Sequence, residues 1–289
     1  MIDHLTIIGV GLIGGSLARA LRQAKLVKRV TGCNRNEDTL KQAVDLQVID
    51  DYSTDIAEAV KGADVVVIGT PLDATVKLLP QVVSAMSENT ILTDVGSAKG
   101  SVVEAARTVM GKRVSQFVPG HPIAGTEQSG VAASFAELFV NHRVILTPLP
   151  ETNPVAHKLI TDMWQAVGAD VINLEVLHHD QVLAATSHLP HMLAYALVDC
   201  LAGMEEREEI FKYAAGGFAD FTRIASSSPE MWHDICLSNR QALLNSLAVF
   251  SEHLDHIRES IEKGDSESLL KVFKRAKQAR DNFTSRNRP

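Results

Sequence analysis

The chain is poor in cysteine, has no excess of basic charge and lacks any long apolar run, and each scarcity excludes a class of protein. Its three cysteines, Cys33, Cys200 and Cys236, are odd in number and show no metal-ligand spacing. They exclude a disulfide framework and fit buried thiols in a reducing compartment. The formal net charge of −7 leaves no electrostatic footprint for nucleic acid or an anionic membrane. No stretch is long and apolar enough to span a bilayer. The N-terminal MIDHLTIIGVG has an acid and a His where a secretory signal needs basic residues, and glycines break its apolar run. The expected location is the cytoplasm. What is present is ordinary in amount: 45% hydrophobic residues, enough for a real core, in 289 residues, a length that allows about two domains.

Short apolar runs alternate with helical patterns through the first part of the chain. Strands are expected at 4–9, 30–33, 63–71 and 89–97, and helices at 11–24, 37–46, 72–86 and 99–110. The alternation continues through 142–147, 154–168 and 169–174. This is the pattern of an α/β Rossmann domain, a doubly wound, mostly parallel sheet with helices on both faces. Near Glu175 the periodicity changes and no further strand is evident. Long amphipathic helices are expected at about 176–203, 205–225, 229–263 and 265–283. The boundary therefore falls near 174, dividing a dinucleotide-binding domain (1–174) from an all-α domain (175–289). No repeat, low-complexity tract or flexible linker intervenes. The later helices are apolar over much of their circumference, as in 243–250 (LLNSLAVF), so a homodimer through 175–289 is expected.

Gly9-Val10-Gly11-Leu12-Ile13-Gly14 matches G-x-G-x-x-G between a strand and a helix. The first Gly permits a tight turn, the second lets backbone approach a pyrophosphate, and the third allows close helix–strand packing. The helix N-terminus adds N–H donors and a favourable dipole. At the end of the second strand, an acid would bind a ribose 2′-hydroxyl and favour NAD. Here Asn34 stands at that position and Arg35 follows, which suits the 2′-phosphate of NADP. Glu37 and Asp38 are close enough to oppose that reading, and Arg35 can equally be a solvated charge. The cofactor is expected to be NAD(P)+, leaning to NADP+.

Ligands of such folds sit beyond the carboxyl ends of the strands. Thr70-Pro71, the segment 94–99 (DVGSAK) and His121-Pro122 all follow expected strands and so should line one crevice. The segment 121–130, HPIAGTEQSG, is expected to be a loop carrying a titratable His, a natural acid or base. The helical part adds 187–191 (SHLPH) and 216–223 (GGFADFTR). His178, His179 and Asp180 have the composition of metal ligands. Adjacent helical residues point apart, so they are read as surface or supporting positions, and no metal is expected.

Together, GVGLIGGS, TDVGSAKG, GHPIAGTEQSG, TSHLPH, GGFADFTRIA and PEMWHDI resemble the prephenate/arogenate dehydrogenase family, the oxidative decarboxylases of tyrosine biosynthesis. The motifs occur in the family's order and cover nearly the whole chain. The resemblance implies a Rossmann domain plus a helical dimerisation domain, at core length without an ACT or chorismate mutase domain. It places the catalytic His at His121, drawing the proton from the ring 4-hydroxyl as hydride leaves C4. Loss of the ring carboxylate as carbon dioxide then yields an aromatic phenol. Ser97 matches a serine that contacts the same hydroxyl; it could also cap the helix at 99–110. The substrate is a small dianion, so Arg223 is expected to grip a carboxylate, with Asp220, three residues earlier on one helical face, orienting it. His191, Ser187 and His188 match substrate-side positions, while Thr126 and Glu127 match gating and cofactor-contact positions. Trp232 reads as core.

The expected reaction is conversion of prephenate to 4-hydroxyphenylpyruvate with hydride transfer to NAD(P)+. Arogenate is the alternative substrate, and Asp180 could pair with its amine if it reached the site. A 3-hydroxyacid dehydrogenase or imine reductase shares the two-part architecture but uses a Lys in the first long helix of the second domain, and 176–203 contains none. A non-catalytic dinucleotide-binding dimer is the remaining class. The presence of His121, Ser97 and Arg223 together argues against it.

Overall fold

The computed structural model describes residues 1–126 and 128–286. Its first strand, β1 (Ile2–Ile8), runs into the glycine turn and then α1 (Leu12–Gln23). The alternation continues through β2 (Val27–Cys33), α2 (Glu37–Asp45), β3 (Asp51–Ser53), α3 (Ile56–Val60), β4 (Val65–Ile68), α4 (Leu72–Ala85), β5 (Ile91–Asp94), α5 (Gly100–Met110) and β6 (Phe117–Val118). These strands form one sheet in the order β3-β2-β1-β4-β5-β6, with every neighbouring pair parallel. β4 is a continuous apolar run because both its faces are covered. One core lies under α1, around Leu17 and Leu21, and a second lies under α4 and α5, around Leu79 and Val102. The strand order reverses between β1 and β4, which opens the ligand crevice there.

Pro119 ends β6, and the chain turns into a second sheet. β7 (Gly120–Pro122), β8 (Arg143–Leu146) and, after α6 (Pro154–Ala166), β9 (Asp170–Asn173) take the order β7-β8-β9. β7 runs antiparallel to β8, and β8 parallel to β9. The expected alternation through 142–174 is thus present but builds a separate sheet. His121 is correspondingly a strand residue opposite Ile145 rather than a loop residue. Three residues form a strand here only because β8 supplies a partner, and Pro122 is tolerated because β7 is an edge.

The helical part begins with α7 (Val176–Leu183), a π turn (Ala184–His188) and α8 (Leu189–Ala202). Pro190 has no N–H to offer the carbonyl of Thr186, and the wide turn lies immediately before it. The helix expected over 205–225 is two short ones, α9 (Arg207–Lys212) and α10 (Gly216–Thr222), followed by a 3-10 turn at Arg223–Ser226. The helix expected over 229–263 breaks at Asn239 into α11 (Pro229–Ser238) and α12 (Arg240–Glu262); α13 (Ser266–Arg286) follows. By compactness the chain divides into residues 1–240 and 241–289, so α7 to α11 belong to the first unit. The second unit is a helical hairpin turning at Gly264, whose φ of +64° suits glycine. Its Leu254, Ile261, Leu270 and Phe273 are exposed. No helix among the described residues is long and apolar enough to cross a membrane.

Candidate active site

The glycine turn assigns each glycine a separate task. Gly9 has φ +97°, and a Cβ there would stand 2.5 Å from the Gly69 carbonyl carbon. A Cβ on Gly14 would meet the Gly9 oxygen at 2.6 Å, so α1 packs directly on the turn. A Cβ on Gly11 would meet nothing within 4 Å. Gly11 is also the N-cap of α1 and makes no side-chain cap, so the first-turn amides of Leu12 and Ile13 have no intrahelical acceptor. Open space in front of uncapped amides fits a pyrophosphate. Thr70 and Pro71 begin the β4–α4 turn beside Gly9.

At the end of β2, Asn34 Oδ1 accepts the Val10 N–H at 2.9 Å and so braces the glycine turn. Arg35 is exposed and makes no ion pair among the described residues. Glu37, which could have neutralised it, instead accepts from the Tyr52 hydroxyl at 3.0 Å and lies 3.4 Å from Lys41 Nζ. Asp38 also faces Lys41, at 4.0 Å.

Beyond β5 lies a buried polar network that the sequence reading did not assemble. Asp94 ends β5 and forms an ion pair with Lys99, and both side chains are almost wholly buried. Lys99 Nζ also donates to the Gly120 carbonyl at 2.7 Å, one residue before His121. His121 Nδ1 meets His179 Nε2 at 2.9 Å, and His179 Nδ1 meets Asp180 Oδ1 at 2.8 Å. A carboxylate can only accept, so His179 Nδ1 carries the proton and its Nε2 the lone pair. His121 Nδ1 must then donate, which leaves His121 Nε2 as a free base.

Asp180 also accepts the backbone N–H of Lys99 at 2.9 Å and of Gly100 at 2.8 Å. It therefore caps α5 from α7, and Ser97 does not. The Ser97 hydroxyl has no hydrogen bond among the described residues. With His179 and two amides on its oxygens, Asp180 is committed to the protein's own donors. Of the two readings of these residues, surface or supporting, His178 takes the first and is exposed, while His179 and Asp180 are buried and support His121 from behind. Neighbours on a helix do point apart, but α7 is flanked by β7 on one side and the start of α5 on the other. The only sequence signal was two acid–base motifs, TDVGSAKG and HHD, whose contact needs the fold.

Burial holds the His121 pKa well below 6.5, with the fields of His179, Lys99 and His188 acting in the same direction. Burial works to raise Asp180, but the His179 hydrogen bond and the two amides outweigh it and hold the carboxyl down. His188 is pushed to about 4, chiefly by burial. Asn239, buried at the α11–α12 break, donates to the Asp180 carbonyl at 2.8 Å and lies 3.1 Å from His188 Nδ1.

The π turn positions the substrate-side residues. His191 Nδ1 donates to the Ser187 carbonyl at 2.8 Å, and its ring stacks on Trp232 at 3.6 Å. Burial lowers the His191 pKa, and the charge of Arg223 lowers it further, which places Arg223 within electrostatic reach. Asp220 is exposed and has no ion pair with Arg223 among the described residues. The expected shared helical face is lost because α10 stops at Thr222 and Arg223 opens a 3-10 turn. Thr126 Oγ1 bonds within its own turn, accepting the Gln128 N–H at 3.2 Å. Glu127 lies outside the described residues.

Residues 17–173 match the family model for the prephenate dehydrogenase nucleotide-binding domain, and residues 176–275 match that for the prephenate dehydrogenase dimerization domain. The cyclohexadienyl dehydrogenase of Zymomonas mobilis is 39% identical over 279 residues, covering 96% of this chain and 94% of the relative. The prephenate dehydrogenase of Bacillus subtilis is 38% identical over 290 residues, covering 100% of this chain and 78% of the relative. Among solved structures, Aquifex aeolicus prephenate dehydrogenase in complex with hydroxyphenyl propionate and NAD+ has a TM-score of 0.91 at 38% identity, covering 98% of this chain and 99% of that one. With both of its parts matched and with relatives of this similarity along its length, the chain belongs to the prephenate dehydrogenase family.

Proposed function

We propose that the chain converts prephenate to 4-hydroxyphenylpyruvate with His121 as the general base. The observation that carries this reading is the order Asp180–His179–His121, which leaves a neutral imidazole with its Nε2 lone pair unused. When bound, the nicotinamide accepts the hydride from C4 of the substrate ring. His121 Nε2 takes the proton of the 4-hydroxyl, so the carbon that loses hydride becomes a carbonyl-like centre. The bond to the ring carboxylate then breaks, carbon dioxide departs, its electron pair makes the ring aromatic, and the oxygen takes back the proton held by His121. Ser97, with a free hydroxyl between β5 and α5, holds the same 4-hydroxyl. Arg223 grips a substrate carboxylate, and His191, Ser187 and His188 line its side-chain end. By the family resemblance, Thr126 and Glu127 take the gating and cofactor-contact roles. Asp180 is buried and already accepts three of the protein's own donors, which makes it a poor partner for the amine of arogenate and favours prephenate.

Gly9, Gly11, Leu12, Ile13, Gly14, Thr70 and Pro71 hold the dinucleotide, and Asn34 keeps the turn in shape. Arg35 pairs with the 2′-phosphate of NADP, a reading supported by its exposure and by the capture of Glu37 and Asp38 by Lys41. Residues 1–174 act as the dinucleotide part and 175–289 as the substrate and dimerisation part, supported by the break between the two family matches.

The test is reduced-cofactor absorbance with prephenate and arogenate crossed against NAD and NADP. His121→Asn should keep dinucleotide binding and lose about 10²- to 10⁴-fold in kcat; undiminished turnover would overturn the base assignment. Arg35→Ala should lower kcat/KM for NADP about tenfold or more and leave NAD unchanged. Equal effects on both cofactors would remove Arg35 from the phosphate site.

A further inference from the structure

We propose that Lys99 is a positioning residue for this reaction: paired with Asp94, its ammonium holds the Gly120 carbonyl and thereby fixes the strand that presents His121. The inference rests on His121 being the base and explains what keeps that base in place. Lys99 is wholly buried, and a lysine in that state needs partners for its charge. A buried ion pair contributes little net stability over apolar residues of the same shape, so stability alone is a poor reason for its presence. The placement supplies a better one. Lys99 Nζ donates to Gly120 O at 2.7 Å, while the Asp94 carboxylate accepts the Gly120 N–H at 3.3 Å. Both backbone polar groups of Gly120, the residue before His121, are thus held by one ion pair.

The same short segment also controls the imidazole. The backbone N–H groups of Lys99 and Gly100 bind the Asp180 carboxylate, which orients His179, which orients His121. Backbone and side chain of the base are therefore both referred to residues 99–100, at the start of α5. Ser97 lies two residues upstream, so base, hydroxyl and cofactor face share one support. The groups whose fields reach the His121 ring are Lys99 from the approach to α5, His179 from α7 and His188 from the π turn, with Asp94 paired to Lys99 and Asp180 bonded to His179. Among them the fixed charge of Lys99 opposes protonation of His121.

The test uses Lys99→Met and the double variant Asp94→Asn/Lys99→Met, which removes the pair without leaving a lone buried carboxylate. The readouts are steady-state kinetics, cofactor dissociation, and titration of ¹³C-labelled histidine rings by NMR, with His121→Asn assigning the signal. Positioning predicts a loss of about 100-fold in kcat, while KM and cofactor dissociation stay within about twofold. In Lys99→Met it also predicts a His121 titration moved upward, because a nearby positive charge is gone while the Asp94 carboxylate stays. A folded double variant with kcat near that of the parent, or a folded Lys99→Met with His121 titrating unchanged, would overturn the proposal. Parallel loss of cofactor binding and thermal stability would also overturn it, marking Lys99 as scaffold. If Lys99→Met fails to fold, the double variant carries the test. Full turnover by His121→Asn would instead sink the base assignment, a result distinct from any of these.

Discussion

Residue by residue, the site is made of histidines kept neutral by burial, and this has a measurable cost at low pH. His121 lies well below 6.5 and His188 at about 4 in the folded protein. An unfolded histidine titrates near 6.5, so between pH 6.5 and about 4 the unfolded chain binds more protons. The stabilisation is fully present above pH 6.5 and is lost as pH falls toward the folded value. For His188 alone the loss between pH 7 and pH 5 is about 2 kcal/mol. Urea unfolding at those two pH values measures it, and equal midpoints would contradict the burial argument. The pH–rate profile follows the same sign. Activity rises through the pKa of His121 and is already flat above pH 6.5, because a protonated Nε2 cannot act as a base. His121 itself was legible in the sequence. His179, Asp180 and Lys99 were not, because their meaning comes from partners 58, 80 and 21 positions away.

Among the elements, the β1–turn–α1 unit is the most local and the most legible. Its three glycines meet only backbone and side chains close in the fold, or open space, and each role follows from the motif. Gly11→Ala and Gly14→Ala should therefore differ in kind. At Gly11 an added Cβ meets nothing within 4 Å, so the variant should keep its thermal midpoint and lose dinucleotide affinity. At Gly14 a Cβ meets backbone at 2.6 Å, and the variant should lose about 1–3 kcal/mol of stability as well. Identical thermal midpoints for the two would refute this division. The later helices were less legible. Periodicity joined 229–263 into one helix, but Asn239 turns its amide inward to Asp180 and His188 and ends α11 there. A local pattern cannot report a side chain recruited by a distant pair.

For the molecule as a whole, the exposed apolar residues define the assembly question. In the 241–289 unit, Phe273 is 57% exposed and Leu270 51% exposed, on a two-helix hairpin too small to bury its own apolar surface. A second copy covering this surface is the proposed dimer, in keeping with the match to the dimerization domain. Sedimentation should give twice 31.4 kDa. Leu270→Glu/Phe273→Glu should shift the population to monomer; an unshifted dimer would move the interface elsewhere on the chain.

The sequence by itself determined the Rossmann alternation, the glycine turn and the family, and it singled out His121, because these rest on short spacings that one strand–turn–helix unit or one motif can express. Tertiary structure decided the rest. It turned the chain at Pro119 into a second sheet, capped α5 with a carboxylate from α7, and aligned Asp180, His179 and His121 over the Asp94–Lys99 pair. Those contacts join groups far apart along the chain in a buried space, where each polar atom must find a partner and only the complete fold supplies it.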